Sequence, residues 1–120
     1  MLFALLPKVA SFKAKSRVQE LKSRLDWGQP ALTIIDTRSR AAFNLSHISG
    51  AVPLPADDQL LVRAKQALAS DREIYIYGET GAETARTAAT LQTAGFANVS
   101  EIIGGLAAWK AAGYPIESGC

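Results

Sequence analysis

The sequence predicts an α/β domain with a mostly parallel central sheet flanked by helices on both faces. Three observations point there. Short apolar runs alternate along the chain with stretches whose apolar residues recur at helical spacing. The runs are rich in β-branched residues and apolar on both sides, as strands covered on two faces must be. Glycines and prolines stand where the helical stretches end, the positions at which they stop a helix. At 120 residues the chain is one domain, long enough to bury a core. No segment is low-complexity and no internal repeat is visible.

The elements follow in order. Ser16 is the expected N-cap of a helix to about Leu25, with Val18, Leu21 and Leu25 on one face. Trp27-Gly28-Gln29-Pro30 breaks it. Ala31–Asp36 reads as a buried strand, and Ser39–Asn44 as a short helical turn. His47–Pro55 reads as a turn into a short strand limited by prolines. Asp57 or Asp58 opens a helix with Leu60, Leu61, Ala64, Ala67 and Leu68 on one side. Ile74–Tyr77 is the next buried strand, followed by a six-residue loop, Gly78–Glu83. Thr84–Ala94 is a helix ended by Gly95. Val99–Ile103 is a strand, Gly104-Gly105 a turn, and Leu106–Ala112 a helix stopped by Gly113 and Pro115. Tyr75 and Tyr77 alternate with Ile74 and Ile76 and are read as sheet residues rather than ligand contacts.

Charge is uneven. Residues 1–25 hold six basic residues against Glu20, a net +5, whereas the remainder carries seven basic and ten acidic residues, a net −3. A basic, apolar start admits contact with a membrane surface or an acidic partner. The apolar run Met1–Leu6 is too short to span a bilayer and lacks the pattern of a secretory signal, so no transmembrane segment is expected. The single cysteine, Cys120, makes no intrachain disulfide, and with the single histidine, His47, it makes no usual zinc site. A cytoplasmic location with no metal and no cofactor is the expectation. No basic nucleic-acid motif and no common phosphate-binding glycine signature occurs.

The junction after Tyr77 carries the chemistry. A strand, a loop and a helix start bring backbone N–H groups and a helix dipole into one space, a common setting for an anion. The side chains do not match that setting. Gly78 stands directly after the strand, and Glu79 and Glu83 add carboxylates. Acids at a helix start also interact well with the dipole, the simpler reading of both. Thr80 has no evident base to activate it.

Several motifs resemble the rhodanese-homology family. Asp36-Thr37-Arg38 with His47-Ile48-Ser49-Gly50-Ala51 is similar to its first signature, Asp-x-Arg and Gly-His-Ile-x-Gly-Ala. Ile74–Arg86 is similar to its second, a strand into Cys-x-x-Gly-x-Arg-Ser and a helix. Ala94–Val99 with Gly104-Gly105-Leu106-Ala107-Ala108-Trp109 resembles its closing segment. The resemblance implies a fold that supports sulfur transfer through a persulfide on the loop cysteine. In this chain the cysteine position is Gly78, the loop glycine is kept as Gly81, the arginine position is Glu83 and the Ser/Thr position is Thr84. The glycine before His47 is Ser46. Such chemistry needs a thiolate. The expectation is therefore a rhodanese-like domain without a catalytic residue of its own, whose loop Gly78, Glu79, Thr80, Gly81, Ala82 and Glu83 is active-site-like in form only. Asp36, Arg38, His47, Gly50, Thr84, Gly104, Gly105 and Trp109 are read as structural.

The expected organisation is an extension at 1–11, the domain at 12–116 and a tail at 117–120. The expected role is protein interaction, regulation or scaffolding with an unidentified protein partner. Two alternatives remain open: a sulfurtransferase using Cys120 or a partner's thiol, and a membrane-surface adaptor working through residues 1–25.

Overall fold

The structure, a computed structural model, describes residues 12–28 and 31–119. The extension at 1–11, the Gln29-Pro30 part of the helix break and Cys120 lie outside the described residues.

The elements are β1 (Lys15–Ser16), α1 (Val18–Asp26), β2 (Leu32–Asp36), α2 (Arg40–Leu45), β3 (His47–Ile48), β4 (Val52–Pro53), α3 (Leu60–Ala67), β5 (Glu73–Tyr77), α4 (Gly81–Thr93), β6 (Val99–Ile102), α5 (Gly105–Ala111) and β7 (Ile116–Glu117). Five strands form a parallel sheet in the order β1-β6-β5-β2-β4. β3 and β7 pair antiparallel in a separate ribbon. Period-two alternation divides the core between the two faces of the sheet. Ile34, Tyr75, Tyr77 and Ile102 pack with α1, α2 and α5 through Val18, Leu21, Phe43 and Trp109. Ile35, Ile74, Ile76 and Val99 pack with α3 and α4 through Leu60, Ala64, Ala88 and Leu91. The two-faced α/β layout is the one the apolar runs imply.

Several boundaries differ from the expected ones, each for a local reason. Ser16 is not the N-cap of α1. It lies in β1, and its hydroxyl shares a 2.6 Å hydrogen bond with the buried Ser100 hydroxyl of β6. The cap position falls on Arg17, whose N–H donates to Glu20 Oε1 at 2.7 Å. His47–Pro55 is not one strand: β3 joins the ribbon, while β4 joins the main sheet beside Ile35 and Asp36. Asp57 and Asp58 precede α3 without capping it. Gln59 holds the cap position, and Asp57 Oδ1 accepts the Gln59 N–H at 2.9 Å.

The largest difference is at the junction after β5. Helix α4 begins at Gly81, not Thr84, so Gly81, Ala82 and Glu83 form its first turn and the loop shrinks to Gly78–Thr80. Thr80 is the cause: its Oγ1 accepts the Glu83 N–H at 3.1 Å, the N-cap bond.

Candidate functional site

Parallel strands β2 and β5 run side by side from Leu32↔Glu73 to Asp36↔Tyr77, so the loops that follow them leave the sheet together. Ligands in open α/β sheets bind beyond these carboxyl ends.

The loop after β2 is held by an internal ion pair. Asp36 is fully buried. Its carboxylate accepts the Arg38 backbone N–H at 2.9 Å, and Arg38 Nη2 at 2.7 Å and Nε at 3.0 Å. Arg38 Nη2 also donates to Ser46 O at 2.6 Å, which ties the start of β3 to this loop. The hydrogen bonds to Asp36 raise the guanidinium pKa further, so Arg38 is a permanent cation whose charge is already matched. Tyr77 is fully buried beside them, and its hydroxyl accepts the Ile48 N–H at 3.0 Å. Burial, with the Asp36 carboxylate, pushes the Tyr77 phenol up.

The loop after β5 is built differently. Gly78 has φ outside the left-handed region, so its backbone would accept a side chain. Its surroundings would not. A Cβ there would lie 2.8 Å from Thr37 Oγ1 and 3.1 Å from Thr84 Oγ1. Both hydroxyls are engaged: Thr37 Oγ1 donates to Tyr77 O at 3.2 Å, and Thr84 Oγ1 to Thr80 O at 2.8 Å. The space at the strand end is thus filled from two neighbouring elements.

Two open clefts flank this loop. One is lined by Arg38, Ser39, Asp57, Glu79, Glu83 and Arg86. The other runs past Arg38, Gly78, Thr80, Thr84, Gly105 and Lys110. Glu79 and Glu83 are exposed on the rim. Glu83 occupies the first turn of α4, where its charge suits the dipole. Asp57 is held ionised by the Gln59 N–H and by Arg63. In the first cleft three carboxylates, Asp57, Glu79 and Glu83, meet two guanidiniums, Arg38 and Arg86, and Asp57 and Arg38 are themselves paired with Arg63 and Asp36.

Gly104 and Gly105 bring the next strand end against the loop. Gly104, the residue that starts α5, adopts φ +80, and a Cβ there would fall 2.6 Å from the Cβ of Ala108 one turn on, so the helix starts in this way only on glycine. Trp109 is the buried residue of α5, and its Nε1 donates to Pro115 O at 2.7 Å. His47 and Gly50 lie away from the clefts, at the β3–β7 ribbon. Glu117 Oε2 accepts the Ser49 hydroxyl at 3.0 Å, and Glu117 Oε1 takes a longer bond, 3.4 Å, from the Gly50 N–H. The expected site residues thus fall into a cleft group and a ribbon group, with Asp36 and Trp109 buried and Ala82 exposed on the first turn of α4. Among the described residues, none later in the sequence than Lys110 lines either cleft.

Sequence reading missed several contributors, among them Thr37, Asp57, Arg86 and Lys110, and it named Thr80 in the loop without its cap role. Thr37 fills the space beside Gly78, and nothing in its local sequence marks it. Lys110 lines the second cleft from α5. Thr80 as a helix cap was legible, because Thr80-x-x-Glu83 has the capping-box spacing. Among the described residues no group of three or more His, Cys, Asp or Glu is arranged to hold a metal. No helix among them is long and apolar enough to cross a membrane.

The rhodanese-like domain profile matches residues 17–112. The crystal structure of the Alr3790 protein from Anabaena sp. is 47% identical, with a TM-score of 0.84 over 87% of this chain and 92% of that one. The probable adenylyltransferase/sulfurtransferase MoeZ of Mycobacterium tuberculosis is 33% identical over 94 residues, 76% of this chain. This chain spans only 23% of the length of that relative. Thiosulfate sulfurtransferase from Pseudomonas aeruginosa, 22% identical with a TM-score of 0.78 over 89% of this chain and 20% of its own, shares the fold. On the extent of the profile match and the near-complete overlap with the Anabaena structure, this chain belongs to the rhodanese-like domain family.

Proposed function

We propose that this protein is a rhodanese-like domain that does not itself carry sulfur, and that it works as a protein-interaction or regulatory module through the face around Gly78. One observation carries the reading. Persulfide chemistry needs a thiolate at the strand end, and at that position stands a glycine whose missing side chain is replaced by the Thr37 and Thr84 hydroxyls. Charge supports it. Glu79 and Glu83 line the approach, and their carboxylates oppose an anionic sulfur donor such as thiosulfate. Among the described residues, Gly119 is the nearest in sequence to Cys120, and its N–H donates to Asn44 O at the end of α2, not to a cleft residue.

Two measurements test this. The wild-type protein should show no thiosulfate:cyanide sulfurtransferase activity above background. Activity that persists in Cys120→Ser would sink the proposal, because no thiol would remain. Capture of a protein partner by the wild type should weaken with Glu79→Lys/Glu83→Lys. Undiminished capture would remove this face as the contact surface.

A second reading has one observation in its favour: the 33% identity to a segment of a larger protein named as a sulfurtransferase. In that reading a partner supplies the thiol. A thiol-bearing partner that gains sulfurtransferase activity only when this protein is added would establish it.

A further inference from the structure

We propose that His47 and Glu117 form a proton-operated lock that fastens the C-terminal strand β7 to the domain. The geometry determines the tautomer. His47 is buried, and its Nδ1 lies 2.7 Å from the Phe43 carbonyl oxygen. A carbonyl only accepts, so Nδ1 carries a proton. In the neutral ring Nε2 then has a lone pair and no hydrogen. That nitrogen faces Glu117 Oε1 at 3.5 Å. A lone pair and a carboxylate oxygen repel. A second proton, on Nε2, converts the same contact into a charge-assisted hydrogen bond within an ion pair. The ring is held in this orientation by stacking on Phe43, with centroids 3.7 Å apart and planes 5° from parallel.

The carboxylate is ready for that cation. The Ser49 hydroxyl, the Gly50 N–H and the imidazole hold Glu117 below the usual carboxylate range. Among the described residues, the other charged and titratable groups around the ring do not supply a counter-ion. Arg40 stands over the Phe43 ring at 5.8 Å and opposes a second cation. Asp36 is committed to Arg38, which bonds Ser46 O on one side of His47. The Tyr77 hydroxyl accepts the Ile48 N–H on the other side. Glu117 is therefore the partner that a protonated His47 has.

The strand needs such a fastening. β3 and β7 contribute two residues each, and Ile116 is 44% exposed. A ribbon so short is marginal by itself. Besides the ladder, residues 115–119 are held by the Ser49 N–H and Trp109 Nε1 donating to Pro115 O, the Ser49 and Gly50 bonds to Glu117, and the Gly119 N–H donating to Asn44 O. The lock closes while His47 is protonated and Glu117 ionised. The Nε2 proton is what joins the ring to Glu117, so the contact holds while that proton is present and opens when it leaves. It is also lost in acid, once Glu117 takes a proton.

His47 is the only histidine in the chain, so its NMR signals need no assignment by mutation. Wild type and Glu117→Gln are titrated side by side, and amide protection of residues 116–119 is measured at about pH 5.5 and about pH 8. The neutral ring should be the Nδ1–H tautomer. The wild-type midpoint should lie about half a pH unit or more above that of Glu117→Gln. Protection of β7 should be several-fold higher at the lower pH in wild type and equal at the two values in Glu117→Gln. An Nε2–H tautomer at high pH, equal midpoints, or protection independent of pH in wild type would each overturn the lock.

Discussion

The loops after β2 and β5 leave neighbouring strands and lie against each other, yet they are held in opposite ways. The Asp36–Arg38 loop keeps its charges inside: a fully buried carboxylate, a guanidinium 10% exposed, and bonds onward to Ser46. The Gly78–Thr80 loop keeps its charges outside, with Glu79 on the rim and Thr37 and Thr84 hydroxyls packed where a side chain would stand. Two charges taken out of water must remain paired, so any change to one strands the other. Charges on a solvated rim are interchangeable at little cost. The first loop is therefore committed to structure. The rim charges of the second can change while the fold stands.

The largest break in this contrast should come from Asp36→Ala. It leaves the Arg38 guanidinium without its counter-ion, and we expect a loss of about 3–5 kcal/mol in denaturant unfolding. Glu79→Gln and Glu83→Gln should each change stability by less than about 0.5 kcal/mol. Comparable losses from both loops would end the distinction.

Next in size is Gly78→Cys. Its Cβ meets Thr37 Oγ1 at 2.8 Å, and we expect a cost of about 1–3 kcal/mol, largely recovered by adding Thr37→Ala. The new thiol should react slowly with iodoacetamide while Glu79 and Glu83 oppose its anion. Adding Glu83→Arg should raise both that reactivity and thiosulfate sulfurtransferase rates by about tenfold or more. If the folded triple variant titrates like free cysteine and transfers no sulfur, this junction is not a vacated anion cradle.

Tyr77→Phe sharpens the comparison from beneath both loops. It leaves the buried Ile48 N–H without its acceptor, at about 1–3 kcal/mol. The Tyr77 phenol is raised in the folded state, chiefly by burial, so its contribution is full below its unfolded value of about 10 and is lost as pH rises beyond it. Wild type should therefore lose stability in alkali more steeply than Tyr77→Phe, in unfolding curves taken from about pH 8 to 11. Parallel curves would count against a buried neutral phenol.

The smallest effect is expected from deleting residues 1–10. Phe12 remains, and its ring packs edge-on against Tyr75 with centroids 5.0 Å apart. The thermal midpoint should move by only a few degrees. An insoluble product would place Leu2, Phe3, Leu5 and Leu6 in the core.

Much of this was legible in the linear sequence. Apolar runs located β2 and β5, because strands covered on both faces are nearly continuous in apolar residues, and Val99–Ile103 was read as a strand although Ser100 and Glu101 interrupt it. Gly95 marked the end of α4, where it adopts φ +107. The start of α4 was misread although Thr80-x-x-Glu83 was in view. β1, β3, β4 and β7 were hard to see for a different reason. Two residues show no period, and each strand exists only because a partner far along the chain supplies the other half of the ladder.

By itself the sequence determined the α/β class, the strand–loop–helix junction after Tyr77 and the absence of a thiol at Gly78, since these depend on residue type and local spacing. Only the tertiary structure decided what occupies the space that glycine leaves, which charges are buried, and that residues 116–119 return to His47 and Asn44. Thr37 and Gly78 are 41 positions apart and meet because β2 and β5 are neighbours in the sheet. Contacts of that kind are set by strand order and packing, for which a local pattern carries no signal.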